Sequence, residues 1–149
     1  MLNRAIWVGL AAGLLNLLTG NTLAADGYTA KVNYTLHCQG CHLADGSGTP
    51  DKVPALKNQV GRFLHVDGGR EYLVRVPGTS HSPMSDAEIA EVLNWMLEKF
   101  SADQLPSNFI PYTREEVSRV RPEPLANVGA MRQSLVTAME QGLNRPNNF

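Results

Sequence analysis

The chain is 149 residues long, 43% hydrophobic and 18% charged, with 13 glycines and 9 prolines. That length suits one domain of ordinary size, and the apolar fraction is enough to bury a core, which excludes a collagen-like or disordered chain. Thirteen Lys and Arg against 14 Asp and Glu leave a net charge of −1, so no bulk electrostatic drive toward nucleic acid exists.

Residues 1–24 read as a removable secretory signal peptide. Arg4 carries the only charge there, residues 5–18 are apolar apart from Asn16, and Thr22-Leu23-Ala24 offers a processing site. The apolar run falls short of the roughly 20 residues that span a hydrocarbon core. The expectation is an exported chain with no stable membrane insertion after cleavage.

Residues 28–37 hold few helix breakers and predict a helix running into Cys38-Gln39-Gly40-Cys41-His42. C-x-x-C-H is the attachment pattern of a c-type haem. Its spacing sets two thiols along one helical turn, where they can add to the two vinyl groups of a porphyrin. The adjacent histidine then coordinates the iron from the proximal side. One covalently bound haem c is the cofactor this pattern asks for. A disulfide between Cys38 and Cys41 would suit an oxidising compartment. A thioredoxin-like site would need βαβ strands nearby, and a zinc site would need further ligands, whereas the other histidines are scattered.

Asp45-Gly46-Ser47-Gly48-Thr49-Pro50 reads as a loop. Pro54-Ala55-Leu56 opens a mixed stretch, and residues 60–64 suit a short helical turn. Gly68-Gly69 breaks the chain, residues 70–76 predict another short helix, and Pro77-Gly78 ends it. The clearest helix follows. Ser85 with Glu88 three residues on forms a capping box, and Ile89, Val92, Leu93, Met96, Leu97 and Phe100 make one buried stripe. Beyond Phe100 a polar connector passes Pro106 and Pro111. Thr113 with Glu116 predicts a second capping box, on a helix ending before Pro122. Val128, Met131, Leu135, Ala138 and Met139 suit a last amphipathic helix, and residues 144–149 read as loose. No strand alternation is sustained, so the fold class is all-α.

Over roughly residues 28–100 these features resemble the class I c-type cytochromes, small single-haem, all-α electron carriers. Tyr34 stands four residues before Cys38, and Ser85-Asp86-Ala87-Glu88-Ile89 with Trp95 matches the family's final core helix. The resemblance implies a Tyr34–Trp95 contact where the two helices cross. It also implies that Pro54 offers its carbonyl to the second ring nitrogen of His42, which fixes the ring and tunes the iron. The implied architecture is a cytochrome c-like haem-wrapping domain over 25–100. Residues 101–149 form a C-terminal helical extension outside the family pattern, either docking a partner or covering the haem.

The family usually supplies a methionine as sixth iron ligand shortly before that last helix, commonly as Met-Pro. Here the order is Pro83-Met84. Met84 is the distal candidate, although its position before the N-cap also suits a hydrophobic staple on Ile89. His81 competes with it, and Met96 and His65 are further candidates. Met96 fits the core stripe, and His37 and His65 read as surface histidines. Gly46 and Gly48 would let the loop lie close to the porphyrin or serve as ordinary turn residues. Arg62, Arg70 and Arg75 read as solvated charges, with a haem propionate as the alternative partner.

The function the resemblance implies is single-electron transfer in the periplasm, between redox proteins such as a periplasmic dehydrogenase and a terminal oxidase. Such a carrier is not an enzyme and needs no catalytic side chain. An open sixth position would instead suit a haem enzyme or gas sensor. A docking extension would suit a dedicated subunit of one dehydrogenase.

Overall fold

The computed structural model describes residues 29–143. The signal peptide read over 1–24 and the tail over 144–149 lie outside the described residues. Thr29 caps α1 (Ala30–His37), its hydroxyl accepting from the Val32 amide at 3.4 Å. At Cys38 the backbone leaves helical angles for one residue and then winds a further turn, α2 (Gln39–His42). A 3₁₀ helix (Val60–His65) and α3 (Gly69–Arg75) follow.

Helix α3 ends before Pro77-Gly78 as expected, with Val76 extended, and Pro77 then opens a separate turn, α4 (Pro77–Ser80). Proline at the first helical position loses no needed N–H and already has the required φ. The long helix α5 (Asp86–Ser101) carries the full capping box, with Ser85 Oγ accepting from the Glu88 amide and the Glu88 carboxylate accepting from the Ser85 amide. Its whole predicted stripe is buried, and side chains of this size each contribute about 1.5–3 kcal/mol on leaving water. Among the described residues there is no strand, and a single Thr49–Val53 bridge closes the 45–53 loop.

Helix α1 packs on α5 through aromatic rings. The Tyr34 ring centre lies 5.2 Å from both Trp95 and Phe100, so the implied Tyr34–Trp95 contact is present. The Tyr34 hydroxyl donates to the carbonyl of Leu43 at 2.6 Å, which ties the end of α2 to the same cluster. Ser101 anchors the 3₁₀ helix, its hydroxyl accepting from the Gly61 amide at 3.0 Å.

Beyond residue 101 the chain folds back onto this body. Helix α6 (Arg114–Val120) packs on α5 and α3, and α7 (Val128–Leu143) packs on the 3₁₀ helix and α3. Tyr112, Val117, Leu135 and Met139 join the same core as Tyr34 and Leu97. Ala138, expected in the buried stripe, is exposed. Only Leu135 and Met139 of the predicted set are fully buried, because α7 meets the body along a narrow line.

The second capping box is only half formed. Thr113 Oγ1 accepts from the Glu116 amide at 3.2 Å, but the Glu116 carboxylate turns to Arg70 instead. Arg70 Nε and Nη2 meet its two oxygens at 2.5 and 2.7 Å. A bidentate guanidinium–carboxylate pair outweighs a bond to one neutral amide. Arg70 also stacks on the Tyr112 ring, 4.0 Å from its centre, and donates to the Ile110 carbonyl. Burial pushes the Tyr112 phenol upward, and its hydroxyl donates to the Arg70 carbonyl at 2.8 Å.

Candidate functional site

The chemistry-bearing residues gather around a cavity of about 490 Å³ lined by Cys38, Cys41, His42, Pro54, Met84 and Met96 among others. That volume lies within the range of cofactor sites. Both cysteines are free thiols, Cys38 half-buried and Cys41 exposed. Burial, and secondarily the neighbouring Cys41, pushes the Cys38 thiol up to about 11. Among the described residues no group of three or more His, Cys, Asp or Glu is placed to hold a metal ion, which leaves the zinc alternative without its ligands.

His42 closes α2, and Leu43 at φ 63° turns the chain away directly after it. His42 Nδ1 lies 3.1 Å from the Pro54 carbonyl. A carbonyl can only accept, so the ring proton sits on Nδ1 and Nε2 keeps a free lone pair. Burial pushes the imidazole below its usual range, with the Pro54 carbonyl pulling the other way. The neutral ring is the form that can bind iron.

The 45–57 loop fixes that acceptor. Leu56 and Lys57 amides donate to the Gly46 carbonyl, and the Gly48 amide donates to the His42 carbonyl at 3.0 Å. Neither Gly46 nor Gly48 lines the cavity, so their expected approach to a porphyrin is replaced by two other close approaches. A methyl on Gly46 would meet the Phe100 ring at 2.9 Å, and one on Gly48 would meet the Val53 carbonyl oxygen at 2.4 Å.

Of the distal candidates, Met84 is buried and lines the cavity, whereas His81 is exposed and does not. Met96 lines it from the α5 stripe, and His37, though exposed, lines it too. His65 is engaged elsewhere, its Nε2 donating to the Gln104 carbonyl at 2.8 Å. None of Arg62, Arg70 and Arg75 lines the cavity. Arg62 donates to Gln59 Oε1 and Arg75 to the Glu123 carbonyl. Arg70 is held in its ion pair, so reading it as a solvated charge is also corrected. The cations that do line the cavity are Lys52 and Arg132.

Val128, Gly129 and Arg132 bring the start of α7 into the lining, a role that spacing alone did not reveal. Two thiols, an imidazole nitrogen, a thioether sulfur, apolar walls and two cations for a carboxylate edge together fit a haem.

No family model matches the chain. A cytochrome c-552 of Thermus thermophilus is 32% identical over 127 residues, covering 73% of this chain and 84% of the relative. The chain belongs to the class I c-type cytochromes. A second cytochrome c-552 from the same species is 33% identical to it over 106 residues, covering 59% of this chain and 81% of the relative. As a cytochrome c, the protein is an electron carrier with covalently attached haem c and an all-α fold. Among the described residues no strand flanks the motif, so the thioredoxin-like reading lacks its βαβ frame.

Proposed function

We propose that this cytochrome c carries single electrons between redox proteins in the periplasm, reached by way of the signal peptide over residues 1–24. The one C-x-x-C-H motif assigns it one haem, whose iron alternates between ferrous and ferric states. Cys38 and Cys41 form the thioether links, and His42 is the proximal ligand through Nε2, held by the Pro54 carbonyl. Met84 is the distal ligand. The observation that carries this reading is the burial of Met84 on the cavity while His81 stays exposed outside it. A Met/His pair raises the reduction potential, which suits delivery toward a terminal oxidase from a periplasmic dehydrogenase. The extension covers the cavity, since three α7 residues line it.

The test is the absorption spectrum of the ferric haem-loaded protein and of Met84→Ala. The wild type is expected to be low-spin with the weak far-red band of methionine–iron ligation, and Met84→Ala should lose that band. A low-spin spectrum without the band would give the position to a nitrogen ligand such as His81. A high-spin spectrum would mean open coordination and would favour a haem enzyme or gas sensor.

A further inference from the structure

Arg121 stands at the C-terminal end of α6, 37 residues from Met84 in sequence, and its side chain is one-fifth exposed. Its guanidinium reaches the segment that brings Met84 into the cavity. Nε donates to the Ser80 carbonyl at 2.9 Å, Nη2 to the Ser82 carbonyl, and Nη1 to the Met84 carbonyl at 2.9 Å. Nη1 also meets Asp86 Oδ1, in the first turn of α5, at 2.8 Å. One planar fork therefore holds alternate carbonyls of a loop and the helix that follows it. Ser80, Ser82 and Met84 are all buried, so a carbonyl released from Arg121 must find water by moving outward.

We infer that Arg121 is a positioning residue for the distal side of the haem: a latch, supplied by the C-terminal extension, that keeps the 80–84 loop closed with Met84 inside. This rests on the reading of Met84 as the sixth ligand. A lysine could not replace it, because an ammonium is a single point of charge and cannot hold three carbonyls spread along a loop. With the latch gone, the loop opens part of the time, Met84 leaves with it, and an outside ligand meets less competition. The apparent affinity for that ligand then scales with the fraction of open molecules.

The experiment is imidazole titration of the full-length ferric holoprotein, comparing wild type with Arg121→Ala, Arg121→Lys and Glu116→Gln. The last loosens α6 through its Arg70 pair and leaves the loop contacts in place. Amide hydrogen exchange over residues 79–85 is measured on the same proteins. Arg121→Ala and Arg121→Lys should bind imidazole at least about tenfold more tightly and exchange faster over the loop, with Glu116→Gln close to wild type in both. Unchanged affinity and exchange in the Arg121 variants would overturn the latch. So would an equal rise in Glu116→Gln, which would reduce the effect to general loosening of the extension. Failure of the Met84 reading looks different. Met84→Ala would then bind imidazole no better than wild type, while loop exchange would still separate Arg121→Ala from Glu116→Gln and keep the latch standing.

Discussion

Gly48 sits at φ 68°, in the left-handed region that a side chain disfavours. A Cβ there would also press 2.4 Å from the Val53 carbonyl and 2.8 Å from that of Pro54. The second of these is the acceptor for His42 Nδ1, so one glycine bears on both the loop and the His42 ring. Gly48→Ala should lower stability by about 1–3 kcal/mol, read as a shift in the urea denaturation midpoint; an unchanged midpoint would show that the loop yields freely. Glu88 offers a pH prediction. Its carboxyl is held below its usual range chiefly by the Ser85 hydroxyl, then by the Ser85 amide. A depressed folded value means that the stabilisation is present above the unfolded value, near about pH 4.3, and is lost as pH falls through the folded one. Glutamine can still cap but cannot titrate. The advantage of wild type over Glu88→Gln should therefore shrink between about pH 5 and pH 3 in thermal melts; a constant gap would contradict it.

Among the helices, α5 was the most legible in the sequence because its cues are local and agree. The capping box, the stripe from Ile89 to Phe100 and the outward Glu91 and Glu98 all lie within one 16-residue run. The C-x-x-C-H motif is equally local, which is why the cysteines, His42 and the cavity they line could be foreseen together. Pro54 and Met84 needed a family resemblance to be singled out, since nothing around either residue marks it. What stayed hidden depends on pairs far apart in the chain. Glu116 matches a capping box by spacing, yet Arg70, 46 residues earlier, claims its carboxylate. Arg121 carries no motif at all, and its partners lie 35 to 41 residues away. Local pattern reports which groups could bond nearby, and tertiary competition decides which of them do.

At the scale of the whole molecule, the extension is built into the body by polar anchors as well as by apolar burial. Asn94 on α5 donates to the Tyr112 carbonyl at 3.0 Å and accepts from the Tyr112 amide at 2.7 Å, pairing with main chain as a neighbouring strand would. Arg70 fixes the next segment through Glu116, Ile110 and the Tyr112 ring. Arg70→Met should cost about 1–3 kcal/mol in urea denaturation, less than a fully buried pair because Arg70 and Glu116 keep 27% and 18% side-chain exposure. Glu116→Gln should cost less, since the amide keeps an acceptor for the guanidinium; equal losses would assign the stabilisation to charge alone.

The Arg121 fork ends mostly on carbonyl oxygens, and a carbonyl is the same group whatever side chain its residue bears. Recognition in this contact is therefore one-sided. Positions 80 and 82 can exchange one small residue for another without the fork registering it, while position 121 accepts only a planar donor of that reach. The Tyr34 hydroxyl on Leu43 and the His42 ring on Pro54 share the asymmetry. Much of what shapes this cavity is thus written in the gripping residues, and the gripped positions answer to them through main chain.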